Sequence, residues 1–185
     1  MALRKKLFVF LFPLTLLHVI PSLALSGHAR HPDPLEDVTC QTAVYYSPHG
    51  SATAAIIRHL DTADRTIFIA MYGLSHPDLI DALVAAKTRG VDVAIKTDKL
   101  QSAGQAQSAA IARLEEVGIT VEVSMQSRLL HDKFAVIDER SVITGSFNWT
   151  QSAENRNREN LVILDCPDVA QSFIAEWELI FPDAP

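Results

Sequence analysis

Cysteine is scarce in this 185-residue chain, which has two, Cys40 and Cys166. Two thiols cannot build a four-cysteine zinc site, and nothing around them has cysteine-rich metal spacing. No cluster of Asp, Glu and His has the spacing of a two-metal phosphodiesterase site either. Basic charge is also short, with 16 Lys and Arg against 22 Asp and Glu and a net charge of −6. That excludes a generally basic surface, the usual electrostatic footprint of a nucleic-acid protein. Any attraction for phosphate has to be local to a cleft. There is no internal repeat and no low-complexity tract, so solenoids and disordered arrays are excluded too.

What is present begins with a basic cluster, Arg4-Lys5-Lys6, and an apolar run from Leu7 to Ile20 broken only by Pro13, Thr15 and His18. Pro21-Ser22-Leu23-Ala24 ends it with small residues at the positions a signal peptidase reads. Residues 1–24 are therefore expected to be a secretory signal peptide, cleaved after Ala24. The run falls short of the ~20 apolar residues a spanning helix needs, and it contains a proline. Cleavage would remove three basic residues and no acidic one, taking the net charge to −9. The expected destination is the periplasm or the exterior, with no stable membrane association afterwards. In such an oxidising compartment Cys40 and Cys166 form one disulfide or stay as two thiols, and the sequence leaves both open.

Residues 25–40 are polar and proline-bearing and read as a leader segment before a single domain over 41–185. Within that domain strand and helix signals alternate. Strands are expected at 42–46, 66–72, 91–96 and 119–123, and helices at 51–63, 77–88 and 105–117. From Lys133 the texture changes. Two short strands, 133–137 and 141–144, are joined by Asp138-Glu139-Arg140, a hairpin signature. A strand at 160–164 and an amphipathic helix at 167–180 close the chain. The expectation is an α/β domain, a mixed sheet flanked by helices on both faces.

The residues that carry chemistry lie in one run: His131-Asp132-Lys133, then Asp138, then Gly145-Ser146-Phe147-Asn148, giving H-x-K-x4-D-x6-G-S-x-N. On an extended chain His131 and Lys133 point to the same face, while Phe134, Val136 and Asp138 point to the other. An imidazole is a workable nucleophile near neutral pH, and the neighbouring ammonium stabilises charge on non-bridging phosphate oxygens. Gly145-Ser146 directly after a strand lets backbone and hydroxyl approach a phosphate, and Asn148 offers a neutral amide to the same oxygens.

This run resembles the HKD motif of the phospholipase D superfamily. The resemblance extends over roughly residues 41–181, through Tyr46-Ser47-Pro48, Ala85-Ala86-Lys87-Thr88-Arg89-Gly90-Val91-Asp92-Val93 and Thr144-Gly145-Ser146-Phe147-Asn148-Trp149-Thr150. A full site in that family uses two copies of the motif, and this chain has one. The resemblance therefore implies a homodimer sharing a site, as in the compact bacterial exported endonucleases of the family. It implies catalysis by His131, Lys133, Asn148 and Glu159, and phosphate binding by Lys133, Ser146 and Asn148, with no metal or other cofactor. Glu159 would hold the nucleophilic histidine, while Asp138 and Gly145 would be structural, Asp138 pairing with a basic group. The expected substrate is DNA or RNA. A phospholipase or cardiolipin-type lipid phosphodiesterase and a non-catalytic nucleic-acid-binding module are the alternatives.

Overall fold

Thr66–Met71 is an almost unbroken apolar run, and the computed structural model, which describes residues 31–124 and 129–181, places it inside the sheet as strand β2. A strand buried on both faces has no polar alternation to show, which is why this one reads as continuous. The elements in chain order are β1 (Gln41–Ser47), α1 (Ala52–Asp61), β2, α2 (Pro77–Thr88), β3 (Asp92–Thr97), α3 (Lys99–Ser102), α4 (Gln105–Glu116), β4 (Thr120–Val123), β5 (Lys133–Ile137), β6 (Ser141–Gly145), α5 (Gln151–Asn155), β7 (Glu159–Asp165) and α6 (Pro167–Leu179). The expected signal peptide and residues 25–30 of the leader lie outside the described residues. Residues 31–40 form no helix or strand.

The seven strands form one sheet in the order β1-β7-β6-β5-β2-β3-β4. β2, β3 and β4 run parallel, joined by helical crossovers, whereas β2–β5, β5–β6, β6–β7 and β7–β1 are antiparallel. Helices α1, α2 and α4 bury Ile56, Leu60, Leu79, Leu83 and Leu114 against one face. The four-residue spacing of Ile56 and Leu60, and of Leu79 and Leu83, is that of a helix stripe turned to a core. Helix α6 covers the other face through Ala170, Phe173, Ile174 and Trp177, packed on Phe134, Val136 and Val142. The mixed sheet with helices on both faces is thus the fold that this chain adopts.

Two helices are absent from the expectations, α3 and α5. Each is too short to show a period. Both are nucleated by capping side chains: Asp98 accepts from the Leu100 and Gln101 amides, and Thr150 from the Ala153 amide. The hairpin turns on Asp138 and Glu139, with φ of 53° and 56°, and the Arg140 amide donates to the Ile137 carbonyl. Lys96, 5% exposed, holds the end of α6 by donating to the Trp177 and Ile180 carbonyls at 3.0 and 2.5 Å. Cys40, just before β1, is disulfide-bonded to Cys166, the N-cap of α6.

Candidate active site

The register brings five strand ends to one edge of the sheet. Met71 of β2 pairs with Lys133 of β5, Thr144 of β6 lies opposite Phe134, Gly145 faces Leu161 of β7, and Ser47 of β1 faces Glu159. The motif residues of β5 and β6 therefore meet the ends of β2, β7 and β1 at that edge. His131, Lys133, Gly145, Ser146, Asn148 and Glu159 line one open cleft of about 540 Å³. His131 is exposed and its ring packs on Tyr72 with centroids 4.8 Å apart.

Lys133 donates to the His131 carbonyl at 2.7 Å and lies 5.2 Å from the centre of the Tyr72 ring. Burial pulls its ammonium below the usual lysine range, while the charges of Asp132 and Glu159 oppose that shift. The next carboxyl, Asp132, is pushed up by loss of surrounding water and by the Glu176 charge. Tyr72 has no counterpart among the expected site residues. Its place at the end of an apolar strand gave only a core signal, and its role as a wall depends on β2 lying beside β5. Its amide donates to the Asp132 carbonyl, extending the ladder by one step. Buried Asp98 accepts from the Leu130 amide and so pins the chain just before His131.

Asn148 is oriented by glycine. Its side-chain oxygen accepts from the Gly73 amide at 3.1 Å, which leaves the NH₂ end to meet acceptors in the cleft. A Cβ on Gly73 would come within 3.2 Å of the Asn148 side chain, so the backbone approach is close there. The Ser75 and His76 amides both donate to the Trp149 carbonyl at 2.8 Å, zipping this segment to the chain after β2.

Three expectations change. Glu159 does not hold His131 within the chain; it accepts from the Ser146 hydroxyl at 2.5 Å and from the Asn157 side-chain NH₂ at 2.9 Å. Ser146 is correspondingly committed, because its hydroxyl proton goes to Glu159 and its backbone amide to the Asn160 carbonyl at 3.1 Å. A free phosphate donor was expected there, but the antiparallel β6–β7 step brings Asn160 and Glu159 within reach first. Gly145 answers to the same neighbour: a Cβ on it would sit 2.3 Å from the Asn160 carbonyl oxygen, and its φ is 142°. Asp138 is structural, yet its carboxylate is held by the backbone amides of Asp64, Arg65 and Thr66 rather than by a basic side chain. The Arg65 guanidinium donates instead to the Asp138 carbonyl. Burial opposes ionisation of this carboxyl, and the three amides together with the Arg65 charge outweigh it, holding it below the usual carboxylate range.

A family model described as "Cardiolipin synthase, PLD-like domain" matches residues 56–180. The chain belongs to the phospholipase D superfamily. Its similarity to relatives of that superfamily supports a phosphodiesterase. Among relatives it is similar to phospholipase D of Rickettsia conorii, 32% identical over 157 residues that cover 84% of this chain and 78% of that one. It is also similar to human mitochondrial cardiolipin hydrolase, 35% identical over 135 residues covering 72% of this chain and 53% of the relative. Among solved structures it resembles the phospholipase D family member Nuc from Salmonella typhimurium. That match has a TM-score of 0.76 and 36% identity, and covers 80% of this chain and 97% of the other. Among the described residues no helix is long and apolar enough to cross a membrane. No group of three or more of their His, Cys, Asp and Glu side chains is placed to hold a metal ion.

Proposed function

We propose that the chain is an exported, metal-independent endonuclease, acting without sequence preference on DNA or RNA as a homodimer with a shared site. The observation that carries this reading is that one histidine, His131, is among the residues lining the cleft with Lys133, Asn148 and Glu159. Each chain contributes one His131 beside Lys133 and Asn148, and a two-step displacement at phosphorus needs a nucleophile and an acid. In the proposed sequence, one His131 attacks phosphorus and the P–O bond to the leaving oxygen breaks. The partner protomer's copy of this histidine gives that oxygen a proton. The partner imidazole then takes a proton from water, whose oxygen attacks the phosphohistidine and restores the first ring. Lys133 and the Asn148 NH₂ stabilise the oxygens that do not react.

Its similarity to Nuc along 97% of that chain supports the compact endonuclease reading. A lipid phosphodiester is the second reading, favoured by relatives named phospholipase D and cardiolipin hydrolase. Incubation with plasmid, RNA and cardiolipin vesicles, each with EDTA, separates them. Cleavage of nucleic acid that persists in EDTA is expected. Activity confined to the vesicles would replace the nuclease reading, and activity restored only by magnesium would overturn the mechanism.

A further inference from the structure

The segment before β1 is pinned at two places along α6. At one end Cys40 is bonded to Cys166, the N-cap of that helix. At the other end the His31 imidazole meets the Glu176 carboxylate at 2.6 Å, in the helix's last turns. Along the helix these two anchors are about 15 Å apart, at 1.5 Å per residue. Residues 31–40, extended, reach ~30 Å. The segment is therefore slack, and the His31 contact holds residue 31 beside α6. His31 and Pro32, with Phe173 and Glu176 of α6, line an open cavity of about 440 Å³ that also takes in His131 and Lys133. The volume is that of a small-molecule site, enough for one nucleotide unit beside the reacting phosphate.

We propose that residues 31–40 are a strap forming the outer wall of the cleft, and that the His31–Glu176 contact restricts access there to an unpaired strand over a duplex. This rests on the nuclease reading given above. The contact suits a gate rather than a fixed wall. The His31 side chain is 82% exposed, and ion pairs so exposed are weak. Glu176 raises the imidazole pKa, through the hydrogen bond first and its charge second, which favours the charged form of His31. Three groups thus set which substrates enter without touching the reacting atoms: His31, Glu176 and the disulfide that returns the strap to the helix.

The test uses the full chain and reads three rates: on a single-stranded oligonucleotide, on its duplex, and on bis(p-nitrophenyl) phosphate, which is small enough to bypass the wall. His31→Ala is expected to raise the duplex-to-single-strand ratio about threefold and to leave the small diester rate unchanged. His31→Arg, which keeps a cation opposite Glu176, is expected to restore the wild-type ratio. Both strands cleaved with an unmoved ratio would overturn the strap alone. A parallel fall on both strands would show His31 binding phosphate, which overturns it as well. If the small diester is hydrolysed but neither nucleic acid is, the nuclease reading falls and takes this proposal with it.

Discussion

The Ser146 hydroxyl donates to Glu159 over 2.5 Å, joining the turn after β6 to the first residue of β7. The same oxygen accepts from the Asn160 amide at 3.1 Å. Ser146 thus works as a clasp between β6 and β7, and through Glu159 it sets the carboxylate on the cleft floor.

Ser146→Ala should cost both stability and rate. A hydrogen bond to a charged acceptor is worth about 1.5–3 kcal/mol, and the Asn160 amide would also lose its acceptor. The expected outcome is a loss of about 2 kcal/mol in urea unfolding with about a tenfold lower kcat on a small diester. Ser146→Thr, which keeps the hydroxyl, should recover most of both. An unchanged stability in the alanine variant would remove the clasp from the account.

Mixing tests the shared site. His131→Ala chains should fold but be inactive, and heterodimers with wild-type chains hold only one of the two imidazoles. Such heterodimers are expected to lose nearly all activity rather than half. Retention of half the wild-type rate would mean that each chain works alone.

Asp138→Asn should lower stability by about 1–3 kcal/mol at pH 7, because a carboxylate that accepts from three backbone amides becomes an amide with one acceptor. The sign of its pH dependence follows from the depressed carboxyl. The stabilisation is full above the ordinary Asp range near ~3.9 and is lost as pH falls through the lower folded value. Urea unfolding of both proteins across pH 7 to 2 should show the difference shrinking only at the acid end. A constant difference would assign the effect to shape rather than charge.

Reduction should destabilise the domain strongly. The Cys40–Cys166 bond closes a loop with a sequence separation of 126, where the chain-entropy model gives ~4–5 kcal/mol. Calorimetry with and without a thiol reductant should show a lower Tm, and Cys40→Ser without reductant should match the reduced wild type. A reductant effect that persists in Cys40→Ser would not come from this bond.

The order and type of most elements were legible because each carries its own local signal. The run Thr66–Met71 shows continuous burial, the stripe of α2 begins after Pro77, and Asp138-Glu139 marks the turn of the hairpin. The grouping of the cleft residues was legible for a similar reason. His131, Lys133 and the segment from Gly145 to Asn148 sit within one short stretch, so their spacing survives in one dimension. What depended on pairing between distant segments was not legible. Tyr72 becomes a wall of the site because β2 lies beside β5, and Glu159 meets Ser146 because β7 lies beside β6. Asp138 finds three backbone amides because the loop before β2 returns to the hairpin. A carboxylate or a hydroxyl shows in the sequence only that it needs a partner. Which partner it takes is decided by strand order and register, and those are set by how the whole sheet buries its apolar faces.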